Sequence, residues 1–236
     1  MDNDGFTFRR QLSAMARERL KLSGISEIIA LVESNGALSF GAGEPPDETF
    51  PKDAFRSAVE RALSEGTIWA YYHDDLGDRD LRAWIAERMS RDDMAPDWVG
   101  PEDVVITHGA AGAVSLAAEA LIDEGTIVLV EGPTYSDSLL TFRRQGAICV
   151  PVSTDDEGIL PEELERTPQL KGARFLYTIP NFQNPSGCTA SVERRLRVLD
   201  ILRRHDVAIV EDDPYHYLGY DGPVPTSYLK LAGDDR

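Results

Sequence analysis

The chain has 236 residues, 42% of them hydrophobic, with Lys+Arg 24 against Asp+Glu 41 and a formal net charge of −17. That length supports one large domain or slightly more, with a real core, and that charge excludes the positive footprint that nucleic acid and anionic membrane surfaces require. No apolar run approaches the roughly 18 residues of a spanning helix, the polar N-terminus lacks signal-peptide order, and Cys149 and Cys188 are too few for a disulfide framework or a cysteine-based zinc site; the expectation is a soluble, cytoplasmic protein.

Residues 9–34 read as helix, with Leu12, Met15, Ala16 and Leu20 on one face and Ile25, Ile28, Ile29, Leu31 and Val32 after Ser23-Gly24. "LSFGAGEPPDETFP" is irregular, punctuated by glycine and proline. Helices follow at 52–65 and 78–91, the second opening on Asp78. From residue 100 short strands and helices alternate. Strands are expected at Val104–Thr107, Thr126–Val130, Ile148–Val152, Arg174–Thr178 and Val207–Asp212, and helices at 110–123, 135–145, 161–166 and 190–205. Such alternation predicts an α/β fold, a mostly parallel sheet with helices on both faces and right-handed crossovers. Ligands of such sheets sit beyond the carboxyl ends of the strands, so the residues just after each strand carry the functional reading.

After the first expected strand, Gly109-Ala110-Ala111-Gly112 is a turn of small residues feeding a helix. It reads either as a phosphate seat, with free amides and the helix dipole facing an anion, or as an ordinary tight turn. After the second, Tyr135 starts a helix beside the same crevice, where its ring can stack on a flat heterocycle or simply pack. After the fourth, "TIPNFQNPSGCTAS" makes a long loop in which Asn184 offers a donor and an acceptor. After the fifth come Glu211, Asp212 and Asp213. Carboxylates in a closed crevice are costly unless something positive faces them. A protonated ring nitrogen is one candidate, a divalent metal another. Against the metal, Pro214 stiffens the turn and no second acidic cluster recurs at the other strand ends.

Taken together these segments resemble the fold-type I pyridoxal 5′-phosphate enzymes, specifically class I/II aminotransferases of the 2-aminoadipate/aromatic kind. "FGAGEPPDETFP" resembles the family's substrate-side glycine loop, "YYHDDLGDRDLR" its Tyr-x4-Gly-x3-Leu-Arg segment, "NFQNPSG" its Asn-Pro-Thr/Ser-Gly loop and "VEDDPY" its Asp-x-x-Tyr strand end. The resemblance implies that Asp212 pairs with the cofactor's pyridine nitrogen while Glu211 and Asp213 are scaffold. It implies that Tyr215 and Asn184 bond the ring's 3′-oxygen, that Tyr135 stacks on the ring, and that the amides of Ala110 and Ala111 hold the phosphate. Tyr72 would reach the phosphate of a neighbouring subunit in a homodimer, and Gly43 would lie beside an amino-acid or 2-oxo-acid substrate.

Two departures accompany the resemblance. Ala110 and Ala111 stand where many relatives carry Ser and Gln, which implies a weaker phosphate grip, and His73-Asp74-Asp75 is unusually acidic. The family's Schiff-base lysine lies on the strand after the Asp-x-x-Tyr strand, and it forms the covalent link that such catalysis uses. "GPVPTSYLKLAGDDR" resembles the linker ahead of that strand, and Lys230 within it does not match the lysine motif. No catalytic residue is identified on this chain. Residues 1–40 thus read as a helical arm or part of a small domain, and 41–236 as part of the large cofactor-binding domain. The expected function is amino transfer from an L-amino acid to a 2-oxo acid by the N-terminal portion of such an enzyme, completed by further chain or by a second polypeptide. The alternatives are a non-catalytic scaffold that keeps the pocket, or elimination or replacement chemistry on the same scaffold.

Overall fold

A computed structural model describes residues 11–19, 24–37, 45–65 and 74–234. The expected first helix is two pieces, α1 (Ala14–Glu18), capped by Ser13 Oγ accepting from Ala16 N–H at 3.1 Å, and α2 (Gly24–Asn35). Helices α3 (Lys52–Glu65) and α4 (Arg79–Arg91) follow, the latter capped by Asp78 as its sequence position predicts. From there α5 (Gly109–Leu121), β1 (Ile127–Gly132), α6 (Ser136–Gln145), β2 (Ile148–Asp155), β3 (Gly158–Ile159), α7 (Pro161–Arg166), β4 (Ala173–Thr178), α8 (Val192–His205), β5 (Ala208–Glu211) and α9 (Tyr228–Ala232) complete the order.

The sheet order is β3-β2-β1-β4-β5. Strands β2, β1, β4 and β5 run parallel, and the two-residue β3 closes an antiparallel turn against β2. Parallel strands need both faces covered, and the two-residue period of the strands divides the core accordingly. Leu129 and Leu176 point to one face, where they meet Leu164 of α7 and Val198, Leu199 and Leu202 of α8. Val128, Val130, Phe175 and Tyr177 point to the other, where Val114 and Ala118 of α5 and Phe142 of α6 cover them. Helices on both faces of a mostly parallel sheet are what the alternation predicted.

Val104–Thr107 is a correction. This apolar run is not a strand of the sheet; its Ile106 N–H donates to Leu76 O at 2.9 Å, and Val105 is 49% exposed. Among the described residues no helix is long and apolar enough to cross a membrane.

Candidate functional site at the carboxyl edge of the sheet

Strands β1, β4 and β5 end at Gly132, Thr178 and Glu211. The short connection 122–126 joins the C-terminus of α5 to the start of β1. Helix α5 packs Val114 and Ala118 over Val128 and Val130 of β1, and its 13 residues span about 20 Å at 1.5 Å per residue, the length of the strand it covers. Gly109 opens this helix at φ +73°, a conformation that disfavours a side chain. Ala110 and Ala111 follow, both exposed. The first turn carries no acidic side chain, so its free amides present partial positive charge to the crevice.

Asp212 extends the pairing of β5 by one residue, its N–H donating to Thr178 O at 2.9 Å. Its Oδ2 accepts a 2.6 Å hydrogen bond from the Tyr177 hydroxyl, which in turn accepts from Ser138 Oγ at 2.9 Å. Burial lifts the Asp212 carboxyl above the ordinary aspartate range and the Asp213 charge adds to this, while the bond from Tyr177 opposes it. No described residue donates to Asp212 Oδ1. The result is a half-buried carboxylate with one oxygen committed to the protein and one uncommitted.

The other two carboxylates of the cluster serve the scaffold. Glu211 accepts from Tyr228 N–H at 2.9 Å and Leu229 N–H at 3.2 Å, capping α9, with Arg195 4.0 Å away. Asp213 accepts from Asn181 Nδ2 at 2.9 Å and faces His216 Nδ1 at 3.1 Å. The three acids diverge to separate partners, and among the described residues no group of three or more His, Cys, Asp or Glu is placed to hold a metal ion.

Aromatic and amide groups surround Asp212. Tyr135 immediately precedes α6 and packs against the α5–α6 side of the core, as does Tyr215. Asn184 Nδ2 lies 3.5 Å from the Tyr215 hydroxyl. Lys230, in α9, is paired instead with Asp93 at 3.3 Å. Gly43 and Tyr72 lie outside the described residues. The acidic Asp74 has a structural partner: its Oδ2 accepts from the buried Arg82 at 2.8 Å, and its Oδ1 accepts from Leu76 N–H.

A fourth acid was not singled out in the sequence. Glu131, at the end of β1, is 3% exposed and accepts from Thr178 Oγ1 at 2.6 Å, Ile179 N–H at 3.1 Å and Gln183 Nε2 at 3.1 Å. Burial pushes its carboxyl upward and these three donors pull it back. Gln183 also donates to Pro133 O at 2.8 Å, so Glu131 ties the start of the Asn184 loop to the end of β1. Glu131→Ala leaves Thr178 Oγ1 and Ile179 N–H without this acceptor and strips Gln183 Nε2 of one of its two, and is expected to cost about 2–4 kcal/mol in denaturant unfolding. The only signal in the sequence was an acid ending an otherwise apolar strand.

The assembled donor set is specific in its chemistry. A carboxylate oxygen to which no described residue donates, an amide–phenol pair and an aromatic face lie together at the carboxyl edge of the sheet. A planar, protonated heteroaromatic ring fits such a set in its chemistry.

Comparisons with known proteins agree with this chemistry. The sequence profile described as aminotransferase class I and II matches residues 35–236. The 2-aminoadipate transaminase of Thermus thermophilus is 36% identical over 217 residues, which cover 91% of this chain and 52% of that protein. The aromatic-amino-acid aminotransferase 1 of Thermococcus litoralis is 35% identical, covering 86% of this chain and 50% of the relative. The crystal structure of the Thermus thermophilus α-aminoadipate aminotransferase complexed with N-(5′-phosphopyridoxyl)-L-leucine superposes with TM-score 0.82 at 34% identity, over 96% of this chain and 55% of the other. An archaeal alanine:glyoxylate aminotransferase superposes with TM-score 0.87 at 30% identity, over 96% and 58%. The chain thus spans about half the length of the curated relatives it matches.

Proposed function

Since the chain belongs to the aminotransferase class I and II family, we propose that it supplies the cofactor-holding part of a pyridoxal 5′-phosphate-dependent aminotransferase, which moves an amino group from an L-amino acid to a 2-oxo acid. One observation carries the reading. The half-buried Asp212 carboxylate keeps, at the carboxyl edge of the sheet, an oxygen to which no described residue donates. When bound, the cofactor supplies an electron sink, and that sink requires a protonated ring nitrogen.

Asp212 holds the proton on that nitrogen. An opposite charge about 4 Å away recovers roughly 4 kcal/mol at an effective dielectric near 20, which offsets the cost of burying the carboxylate. Asn184 and Tyr215 orient the ring through its 3′-oxygen, and Tyr135 covers a ring face and excludes water from it. The amides of Ala110 and Ala111 hold the phosphate without help from their side chains, so within one chain the grip rests on the helix terminus. Gly43 lies beside the substrate, and Tyr72 serves the phosphate of a neighbouring subunit in a cytoplasmic homodimer. Residues 1–40 act as an arm and 41–236 as the main part of the large domain; a segment beyond this sequence or a second chain supplies the Schiff-base lysine.

The test is titration of the purified protein with pyridoxal 5′-phosphate, then borohydride reduction and denaturing intact-mass measurement. Cofactor fixed to a polypeptide that contains this sequence, or to a chain that copurifies with it, is the expected result. Cofactor that binds but washes off on denaturation marks a scaffold that keeps the pocket without the lysine. Failure to bind at all overturns the reading.

A further inference from the structure

Three residues stand between the sheet core and the candidate site in an unbroken line. Ser138 is on α6, Tyr177 on β4 and Asp212 just past β5, and each side chain bonds the next at 2.9 and 2.6 Å. Tyr177 is fully buried, on a strand flanked on both sides by β1 and β5. Phe142, also fully buried, meets its ring edge-on with centroids 5.2 Å apart and planes at 73°, and Phe142 meets Phe175 in the same manner at 5.5 Å. A phenol held this way has little freedom to turn its oxygen elsewhere. Burial and the Asp212 charge both push the Tyr177 hydroxyl far above its ordinary value, so it is a neutral, permanent donor.

We propose that Tyr177 is a positioning residue for the ring nitrogen's partner: its phenol, held by Ser138, occupies Asp212 Oδ2 and leaves Oδ1 as the oxygen that meets the cofactor. The inference rests on the reading under Proposed function and goes one shell deeper. Two consequences follow from the chemistry. The bond fixes the carboxylate plane, so Oδ1 is presented in one direction. It also stabilises the carboxylate form, so Asp212 stays the weaker base and the shared proton stays on the ring nitrogen. Without the phenol the carboxylate becomes more basic, the proton moves toward it, and the ring loses its positive charge. The acid–base groups around Asp212 are Asp213 and Tyr177, with Tyr135 and Tyr215 nearby; of these, the Asp213 charge makes the carboxylate more basic and the Tyr177 bond makes it less so.

The experiment compares wild type, Tyr177→Phe and Leu164→Ala in two readouts. Leu164 is fully buried on the opposite face of the sheet, so its truncation destabilises the core without touching the line. The first readout is the carboxyl 13C titration of Asp212 in the cofactor-free protein. The second is the 15N shift of ring-labelled pyridoxal 5′-phosphate when bound. Tyr177→Phe is expected to raise the Asp212 midpoint by about one unit and to move the ring nitrogen toward its unprotonated shift; Leu164→Ala is expected to move neither. Should Tyr177→Phe fail to fold, Ser138→Ala, which weakens the phenol as a donor, is expected to shift both readouts the same way by less.

The inference is overturned if the Tyr177 or Ser138 variants titrate like wild type, or if Leu164→Ala shifts the readouts as far as they do. Cofactor binding with an unmoved ring nitrogen overturns this inference alone. Failure of the wild-type protein to take up the cofactor, with the Asp212 titration still responding to Tyr177, overturns the functional reading and with it the role assigned to Tyr177.

Discussion

In the complete enzyme proposed above, Asp212→Asn is expected to leave the fold intact and to lower the rate of amino transfer by roughly 10²–10³-fold, the usual cost of removing one preorganised electrostatic group. The amide is nearly the same shape and still accepts from Tyr177, so the 2.6 Å bond that organises the site has a substitute. What disappears is the negative charge that, on the proposed function, keeps the ring nitrogen protonated. The stability readout runs the other way. Asp212 is harder to ionise folded than unfolded, because burial and Asp213 outweigh the bond from Tyr177. Its ionisation therefore costs stability as pH rises from the unfolded aspartate range, about 4, through the folded value. The Asn variant escapes that cost, so without cofactor it should equal or exceed wild type in denaturant midpoint at neutral pH and lose that advantage in acid. Saturating cofactor should reverse the ranking, since a ligand stabilises in proportion to how tightly it binds the folded state. An Asn variant that transfers amino groups at the wild-type rate would remove Asp212 from the mechanism.

From residue 109 onward the longer strands and helices were legible because each is a local pattern, whereas the two-residue β3 and the short α9, within what reads as a linker, were not. The expected helix 161–166 and α7 (Pro161–Arg166) coincide, and four of the five expected strands match β1, β2, β4 and β5 within three residues at either end. Val104–Thr107 misled for the same reason: its apolar composition is that of a strand, but a strand needs a neighbour, and its pairing at Ile106 is with Leu76, which is in no strand. Of the candidate site, the cluster Glu211-Asp212-Asp213 was legible because charge at the end of an apolar run is anomalous on its face, while Asp212 was set apart from its neighbours only by the family resemblance. Tyr177, Ser138 and Gln183 were not, since a tyrosine within a strand and a serine within a helix look like ordinary packing. Their roles arise from sequence separations of 35, 39 and 52 residues to Asp212, Tyr177 and Glu131, which only the sheet order β1-β4-β5 and the register bring together. Hydrophobic periodicity predicts which face a residue takes; it does not predict which polar atom waits across the sheet.

Arg195→Leu is expected to cost about 3–5 kcal/mol, the penalty for breaking a buried ionic network from one side, and to lower the thermal midpoint by about 6–20 °C for a chain of this size. Arg195 is fully buried on α8. Its Nε donates to Ala190 O at 2.9 Å, Nη1 to Thr226 O at 3.0 Å, and Nη2 to Pro180 O at 3.2 Å and Asn181 Oδ1 at 2.6 Å. Burial works against its charge, and nearby Glu211 and Asp213 work in its favour. These partners belong to three segments: the loop that follows β4, the acidic end of β5, and the approach to α9. Asn181 passes the connection on to Asp213 through its amide nitrogen, so one guanidinium holds both the Asn184 loop and the strand end that presents Asp212. A lysine places a single ammonium where a planar fork bonds four oxygens, so Arg195→Lys should recover only part of the loss. The functional signature should exceed the stability signature. At a temperature where Arg195→Lys remains fully folded, its cofactor affinity should still fall, because the loop and the strand end no longer share one anchor. Cofactor affinity equal to wild type in that folded variant would show that α8 supports the core and leaves the site to hold itself.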